Sequence, residues 1–444
     1  MVLGLALSMV CYILFAGWRP FSLPIPLAVF PILIGLFIFA ITNPCVTIRI
    51  PNYWIRWFMV LVVMFIWRLF VDLINDTLES SIEKVNAFLF VFSFAVLVSI
   101  SIYHKDQIRS LIFATVCAVA FSSMIAILQL SPHREPFLAL WRWRYMCYAP
   151  KEMLPRLEEL YTFILNGRAA GMTPYSLTLA HQILVSTPLA LALLFTERQR
   201  KNFVLITLCF IILVLGALAT GARIAIFIGL FFTILYFLWI QKLFQGYYLK
   251  LFVILILMLT VIIFLTMLSL KYLTFHLRFL TVGEVQRIET WKFIINLILE
   301  HPYVLLVGIS EGGLSRWGIP VDVLGSAHNQ FLGALIGYGF PGLLLLSYFY
   351  LQTFSIILHK FKQNPYNQHK KQNKDFIVYR LCFTISLLGY ITASLFHDQG
   401  PLTADVFHLV TLSIFVILPR CYVYQYISKC YSKHNYQTIP QISH

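Results

Sequence analysis

A chain of 444 residues in which 60% are hydrophobic and only 11% are charged is not an ordinary soluble protein. The net charge of +15 does not mark a nucleic-acid footprint either, because the lysines and arginines lie in short loops between apolar runs and not on one soluble face. A polytopic membrane protein remains.

About 20 apolar residues cross the hydrocarbon core. In chain order, runs of that kind fall near 1–17, 21–42, 54–74, 86–103, 110–130, 175–195, 202–219, 221–240, 249–270, 335–358, 376–396 and 403–422, which predicts an all-α bundle of about 12 transmembrane helices over 1–422. The first run has neither a charged start nor a small-residue cleavage site and reads as a retained helix. Arg49 and Arg56, Lys105 and Arg109, Arg198 to Lys201, Lys242 and Lys250, Lys360 to Lys374, and Arg420 with Lys429 and Lys433 fall on one side of this pattern. The short loops opposite carry only Arg19 and Lys84, so the positive-inside rule predicts that both termini are cytoplasmic.

Two long segments, 131–174 and 271–327, are then predicted outside, and loops of this length are usually functional or disordered. The first carries Trp141, Trp143, Tyr145, Tyr148 and Tyr161, side chains suited to sugar stacking or, more commonly, to an interfacial aromatic belt. The second contains Ile288, Trp291, Ile295 and Ile298 at helical spacing, which predicts an amphipathic helix along the outer interface. Residues 423–444 are polar and read as a flexible cytoplasmic tail. Of the eight cysteines only Cys147 is predicted outside, so no disulfide framework follows. Neither CxxC nor HExxH occurs, and no acidic pair stands out in either large loop as a metal site. No cofactor is expected.

Chemistry is sought where charge meets the outer boundary. Arg168, Arg223 and Arg287 all fall there by this topology; a guanidinium keeps its charge and forks onto phosphate oxygens, so a diphosphate in the outer leaflet is the ligand to expect. Arg223 is also predicted in the first turn of a helix, where free N–H groups favour an anion. The plain alternative for each arginine is a side chain reaching lipid phosphate. Arg142, Arg144, Arg156 and Arg316 are weaker candidates of the same kind, and Arg68 and Asp72, four apart, are spaced to pair with each other. His328, placed at the outer boundary where the second loop ends, has an imidazole able to take a proton near neutral pH, or else is a polar interfacial residue.

The sequence His328-Asn329, nine residues, Gly339, two residues, Gly342 resembles the signature of bacterial O-antigen ligases and related oligosaccharide transferases. Arg287-Ile288-Glu289-Thr290-Trp291 followed by His301-Pro302 and Gly308 resembles the family's Arg-x3-Trp helix and glycine turn, although the usual Gly-x-Gly is here Gly308-Ile309-Ser310. Asn166-Gly167-Arg168-Ala169-Ala170-Gly171, with Pro174 and Ala180, resembles its first arginine motif, and Thr220-Gly221-Ala222-Arg223 its second. The resemblance covers roughly the C-terminal two-thirds of the chain. It implies a glycosyltransferase of the bacterial inner membrane that moves a glycan from undecaprenyl diphosphate onto lipid A-core oligosaccharide, in lipopolysaccharide biosynthesis and without a metal. His328 would be the catalytic base, Arg168, Arg223, Arg287 and Asn329 would bind substrate, and Gly339 and Gly342 would shape the motif. An O-antigen or exopolysaccharide polymerase, a protein O-oligosaccharyltransferase and, outside enzymes, a lipid-linked glycan flippase are the alternatives. A transporter would instead be expected to gather its charges near midplane.

Overall fold

The computed structural model describes residues 1–15, 28–42, 50–147, 154–197, 199–222, 291–310, 329–358, 370–395, 401–403 and 405–433, together with Gly229, Phe231, Thr233 and Leu235. Among these residues the regular structure is helical, with no strand. The elements are α1 (Val2–Phe15), α2 (Val29–Thr42), α3 (Asn52–Ile74), α4 (Leu78–Ser101), α5 (Lys105–Gln129), α6 (Glu135–Tyr145), α7 (Leu154–Leu165), α8 (Ser176–Thr196), α9 (Arg200–Thr220), α10 (Gln330–Leu358), α11 (Lys370–Ser394) and α12 (Val406–Lys433). Residues 291–300 are also helical, and short helices occupy Val304–Val307 and Pro401–Thr403.

Among the described residues, six helical stretches are long and apolar enough to cross a membrane: Asn52–Ile74, Lys105–Gln129, Ser176–Thr196, Arg200–Thr220, Gln330–Leu358 and Asp375–Ser394. Val2–Phe15, Val29–Ile38, Val85–Ser101 and Val406–Cys421 are shorter apolar helices. Each of these coincides with an expected span, and the chain is a multi-pass, all-α membrane protein. The expected spans 221–240 and 249–270 fall outside the described residues, apart from the four isolated positions named above. Helix α12 continues to Lys433, past the point where the sequence suggested a flexible tail.

Helix α8 is the centre of the bundle. It is mostly apolar and buried along almost its whole length, and it packs against α5, α9 and α11 with Leu179, Ile183, Leu189 and Leu193 all buried. Polar contacts gather at the two ends of the bundle. At one end Lys105 pairs with Asp375 at 3.0 Å, Arg109 pairs with Glu197, and Arg420 donates to the Ser99 carbonyl while lying 3.9 Å over the Tyr103 ring. At the other, Arg68 pairs with Asp72 at 3.6 Å, both fully buried, and donates to the Leu402 carbonyl. The pairing of Arg68 with Asp72 expected from their spacing is present. Lys105, Arg109 and Arg420, at the first of these ends, are all among the basic residues that the loop charges sort to one side.

Helix α10 is not one straight span. Gln330 Nε2 donates to the Tyr350 hydroxyl at 3.0 Å, whereas 20 residues of straight α-helix would separate them by about 30 Å. The chain reverses at Gly339, whose φ of 68° and ψ of −175° no helix contains, and Pro341 follows without an N–H to bridge the break. Two legs result, 330–338 and 340–358. The long leg runs antiparallel to α3: Trp67 Nε1 donates to the Tyr338 carbonyl at the turn, and Trp57 Nε1 donates to Thr353 Oγ1 at 3.0 Å. The short leg is therefore re-entrant, and its foot at Gln330 lies about 12 Å deeper in the bundle than Tyr338, from eight residues of 1.5 Å rise.

Candidate functional site

The segment 166–173 is shaped by side chains from α5 and α6. Gln129, buried at the end of α5, accepts from the N–H groups of Ala170 and Gly171 at 3.1 and 2.9 Å, and its amide donates back to the Gly171 carbonyl. Ser122 Oγ accepts from the Met172 N–H, while Trp141 Nε1 and the Tyr145 hydroxyl donate to the carbonyls of Thr173 and Met172. Gly171, at φ +59°, is pressed so close to α5 that a Cβ would stand 2.3 Å from the Ser122 carbonyl oxygen.

This clamp presents Arg168 beside the end of α9. The Ala169 N–H donates to the Ala219 carbonyl, and a Cβ built on Gly221 would stand 3.6 Å from Arg168 Cγ. Gly221 caps α9 in the left-handed conformation. The two segments expected to carry arginine ligands are thus adjacent in space. Arg168 is half-buried, with its guanidinium 5.8 Å from the Phe163 ring centroid. Arg223 lies outside the described residues, as does Arg287.

The first outer loop has its own small core, in which Leu138, Trp141, Leu157, Ile164 and Ala170 are buried and Tyr145 and Tyr161 pack against Trp141. Trp141, Tyr145 and Tyr161 thus pack against one another within the segment, while Trp143 is exposed. Arg144, a weak candidate from sequence, is buried and donates to the Leu14 carbonyl, and Arg142 lies over the Tyr161 ring at 5.4 Å. Burial pushes the Tyr145 phenol up and the Arg144 guanidinium down from their ordinary values.

The second loop enters through the turn at 308–310. The N–H groups of Ile309 and Ser310 donate to the carbonyls of Ile336 and Gly337 at 2.9 and 2.8 Å, joining the turn to the top of the short leg. Ser310 Oγ donates to Asp72 Oδ1 at 2.6 Å, so the buried Arg68–Asp72 pair anchors the same turn. The preceding helical stretch buries Ile294 and Leu297 against Val304, Ile309 and Ile336. Ile295 and Leu299 of this stretch are exposed, as is Leu306 of the short helix that follows.

Asn329 stands at the foot of the re-entrant leg. Its Oδ1 accepts from the N–H groups of Phe331 and Leu332 at 2.9 and 3.0 Å, which makes it the N-cap of the leg. His328 lies outside the described residues. Gly339 forms the reversal at the top, and Gly342 lies where a Cβ would stand 2.4 Å from Tyr338 Cβ. Both positions are set by close packing and backbone conformation.

Sequence reasoning missed the polar groups around that foot. The Gln330 amide flanks the Tyr350 hydroxyl, with Nε2 at 3.0 and Oε1 at 3.2 Å. Tyr350 packs against His408, whose ring stacks nearly parallel on Tyr390 with centroids 3.3 Å apart. The Tyr390 hydroxyl donates to Asp405 Oδ2 at 2.5 Å, and Asp405 Oδ1 accepts from the His408 N–H near the start of α12. His181 of α8 lies against Tyr390 with ring centroids 5.8 Å apart. The available signal was single polar residues inside apolar runs, which are costly there and retained for a reason.

Among the described residues, no group of three or more His, Cys, Asp or Glu side chains is placed to hold a metal ion. No protein-family model matches the chain, and no curated protein matches it.

Proposed function

We propose that this multi-pass membrane protein is a glycosyltransferase of the O-antigen-ligase type, working at the outer face of a bacterial inner membrane with both termini cytoplasmic. The donor is a glycan on undecaprenyl diphosphate and the acceptor a hydroxyl of lipid A-core oligosaccharide. Arg168, Arg223 and Arg287 bind the diphosphate, and their fixed charge stabilises it as it leaves the anomeric carbon. His328 takes the proton of the attacking hydroxyl. Attack opposite the leaving group forms the new C–O bond as the bond to phosphate breaks, and the anomeric configuration inverts. The observation that carries this proposal is the convergence of motif segments: Arg168 meets Gly221, and the 308–310 turn meets the reversal at Gly339.

Deletion of the gene followed by gel analysis of lipopolysaccharide tests the proposal. Loss of polymer from lipid A, with polymer accumulating on the carrier lipid, is the expected result. Core capped by a single repeat would identify a polymerase instead, and loss of carrier-linked polymer outside the cytoplasm would identify a flippase.

A further inference from the structure

The foot of the re-entrant leg raises a problem of placement. The break at Gly339 separates residues 330–338 from the hydrogen-bonded ladder of the long leg, so that ladder does not hold the foot at its depth. Side chains from other elements must do so. Gln330 is buried and is tied to Tyr350 of the long leg; Tyr350 touches His408 of α12, and His408 lies on Tyr390 of α11. Tyr390 is held by its hydroxyl to Asp405 and is flanked by His181 of α8. The residues just before α8 form the clamped segment that presents Arg168. A continuous set of contacts thus joins the helix behind Arg168 to the foot that carries Asn329.

Stability alone does not call for this chemistry. Tyr390 and His408 are at most 1% exposed, Tyr350, Gln330 and His181 each 4%. Buried polar groups gain little over well-packed apolar ones and cost free energy wherever a partner is missing. Among the described residues His408 Nε2 has no hydrogen-bond partner. What the polar groups add is direction: an amide facing a phenol fixes rotation and depth in a way that leucine against phenylalanine does not.

We propose that Tyr350, His408, Tyr390 and Asp405 are positioning residues that set the depth and rotation of the foot at Asn329 and Gln330 relative to the Arg168 segment. This rests on the role given above to His328, the residue next in sequence. The hydroxyls of Tyr350 and Tyr390 act through Gln330 and the Asn329 cap and do not touch substrate.

The test measures release of polyprenyl diphosphate from a synthetic polyprenyl-diphosphate-linked oligosaccharide, in membranes holding equal amounts of each variant. Tyr350→Phe and Tyr390→Phe each remove one oxygen and keep the ring. Both are expected to lower kcat roughly tenfold while donor KM stays within about twofold, because a misplaced base slows chemistry without loosening the diphosphate. On a His328→Ala background neither should cause a further loss. Losses that multiply across the two backgrounds would overturn the positioning role and leave His328 in place. A raised donor KM at unchanged kcat, or full activity of both variants, would also overturn it. Full activity of His328→Ala alone would sink the proposed function itself, an outcome separate from the others.

Discussion

Gly308 and Gly339 meet through their backbones. A Cβ on Gly308 would stand 2.5 Å from the Gly337 carbonyl oxygen and from the Tyr338 nitrogen, and one on Gly339 would stand 2.8 Å from the Leu306 carbonyl oxygen. Both residues also have positive φ, +83° and +68°, where a side chain is strained whatever the space. Gly308→Ala and Gly339→Ala should each destabilise the protein by about 1–3 kcal/mol and separate the 308–310 turn from the short leg. Gly337 supplies the control, since a Cβ there meets nothing within 4 Å. Thermal unfolding of the purified variants in detergent should rank Gly337→Ala beside the natural protein and the other two well below it. Equal stability of all three would mean that the turn and the leg are not packed in this way.

Much of the bundle is legible in the sequence because long apolar runs can satisfy their backbone only as helices in a membrane. The re-entrant leg is not. Residues 335–358 read as one apolar span, and the reversal depends on Gly339 and Pro341 together with contacts from the distant 308–310 turn. In sequence Asn329 is simply the residue before an apolar run, whereas the folded-back leg buries Gln330 next to it. The set from Gln330 to Asp405 was illegible for a related reason: its members lie on α8, α10, α11 and α12 or just before them, and no spacing along the chain brings them together. The proximity of Arg168 to Gly221 was legible only through motif resemblance, which says that two segments belong to one site but not how they touch.

Orientation can be checked from outside the cell. The loop charges put Glu158 and Ser315 outside and Gln368 inside. Glu158 is exposed on α7, so a cysteine there should react with a membrane-impermeant thiol reagent. Cys147 is exposed in the same loop and should be replaced by serine first. Cysteines at Glu158 and Ser315 should label in intact cells, and one at Gln368 should label only after the membrane is opened. Labelling of Gln368→Cys in intact cells would reverse the bundle and remove Arg168 from the outer face.

Chelation tests how the leaving group is stabilised. Neither large loop shows an acidic pair suited to a hard cation, which needs several oxygen ligands, and the arginines supply fixed positive charge in its place. Transfer in washed membranes should therefore survive excess EDTA at close to its initial rate. Loss of transfer on chelation, with recovery on adding magnesium or manganese, would require a metal-assisted mechanism in place of the arginines.

Binding and chemistry should separate by mutation, because the proposed function gives the arginines and His328 different roles. Arg168→Ala and Arg223→Ala should raise donor KM through lost diphosphate contacts. Lysine at either position should rescue only part of the loss, since a point charge cannot reproduce the two-pronged guanidinium. His328→Ala should leave donor binding nearly intact and lower turnover by roughly 10²–10⁴-fold, the usual worth of a positioned general base. Asn329 distinguishes a cap from a ligand. Its Oδ1 accepts two N–H groups of the short leg, so Asn329→Ala should cost about 1 kcal/mol of stability, and Asn329→Asp, which keeps an oxygen in the same place, should retain it. If Asn329→Asp is as stable as the natural protein but inactive, the amide nitrogen serves the substrate as well as the oxygen serving the helix. If it is both stable and active, Asn329 acts through the cap alone. Near-normal transfer by His328→Ala at equal abundance would leave the histidine a bystander and the motif a glycan-binding feature without the proposed base.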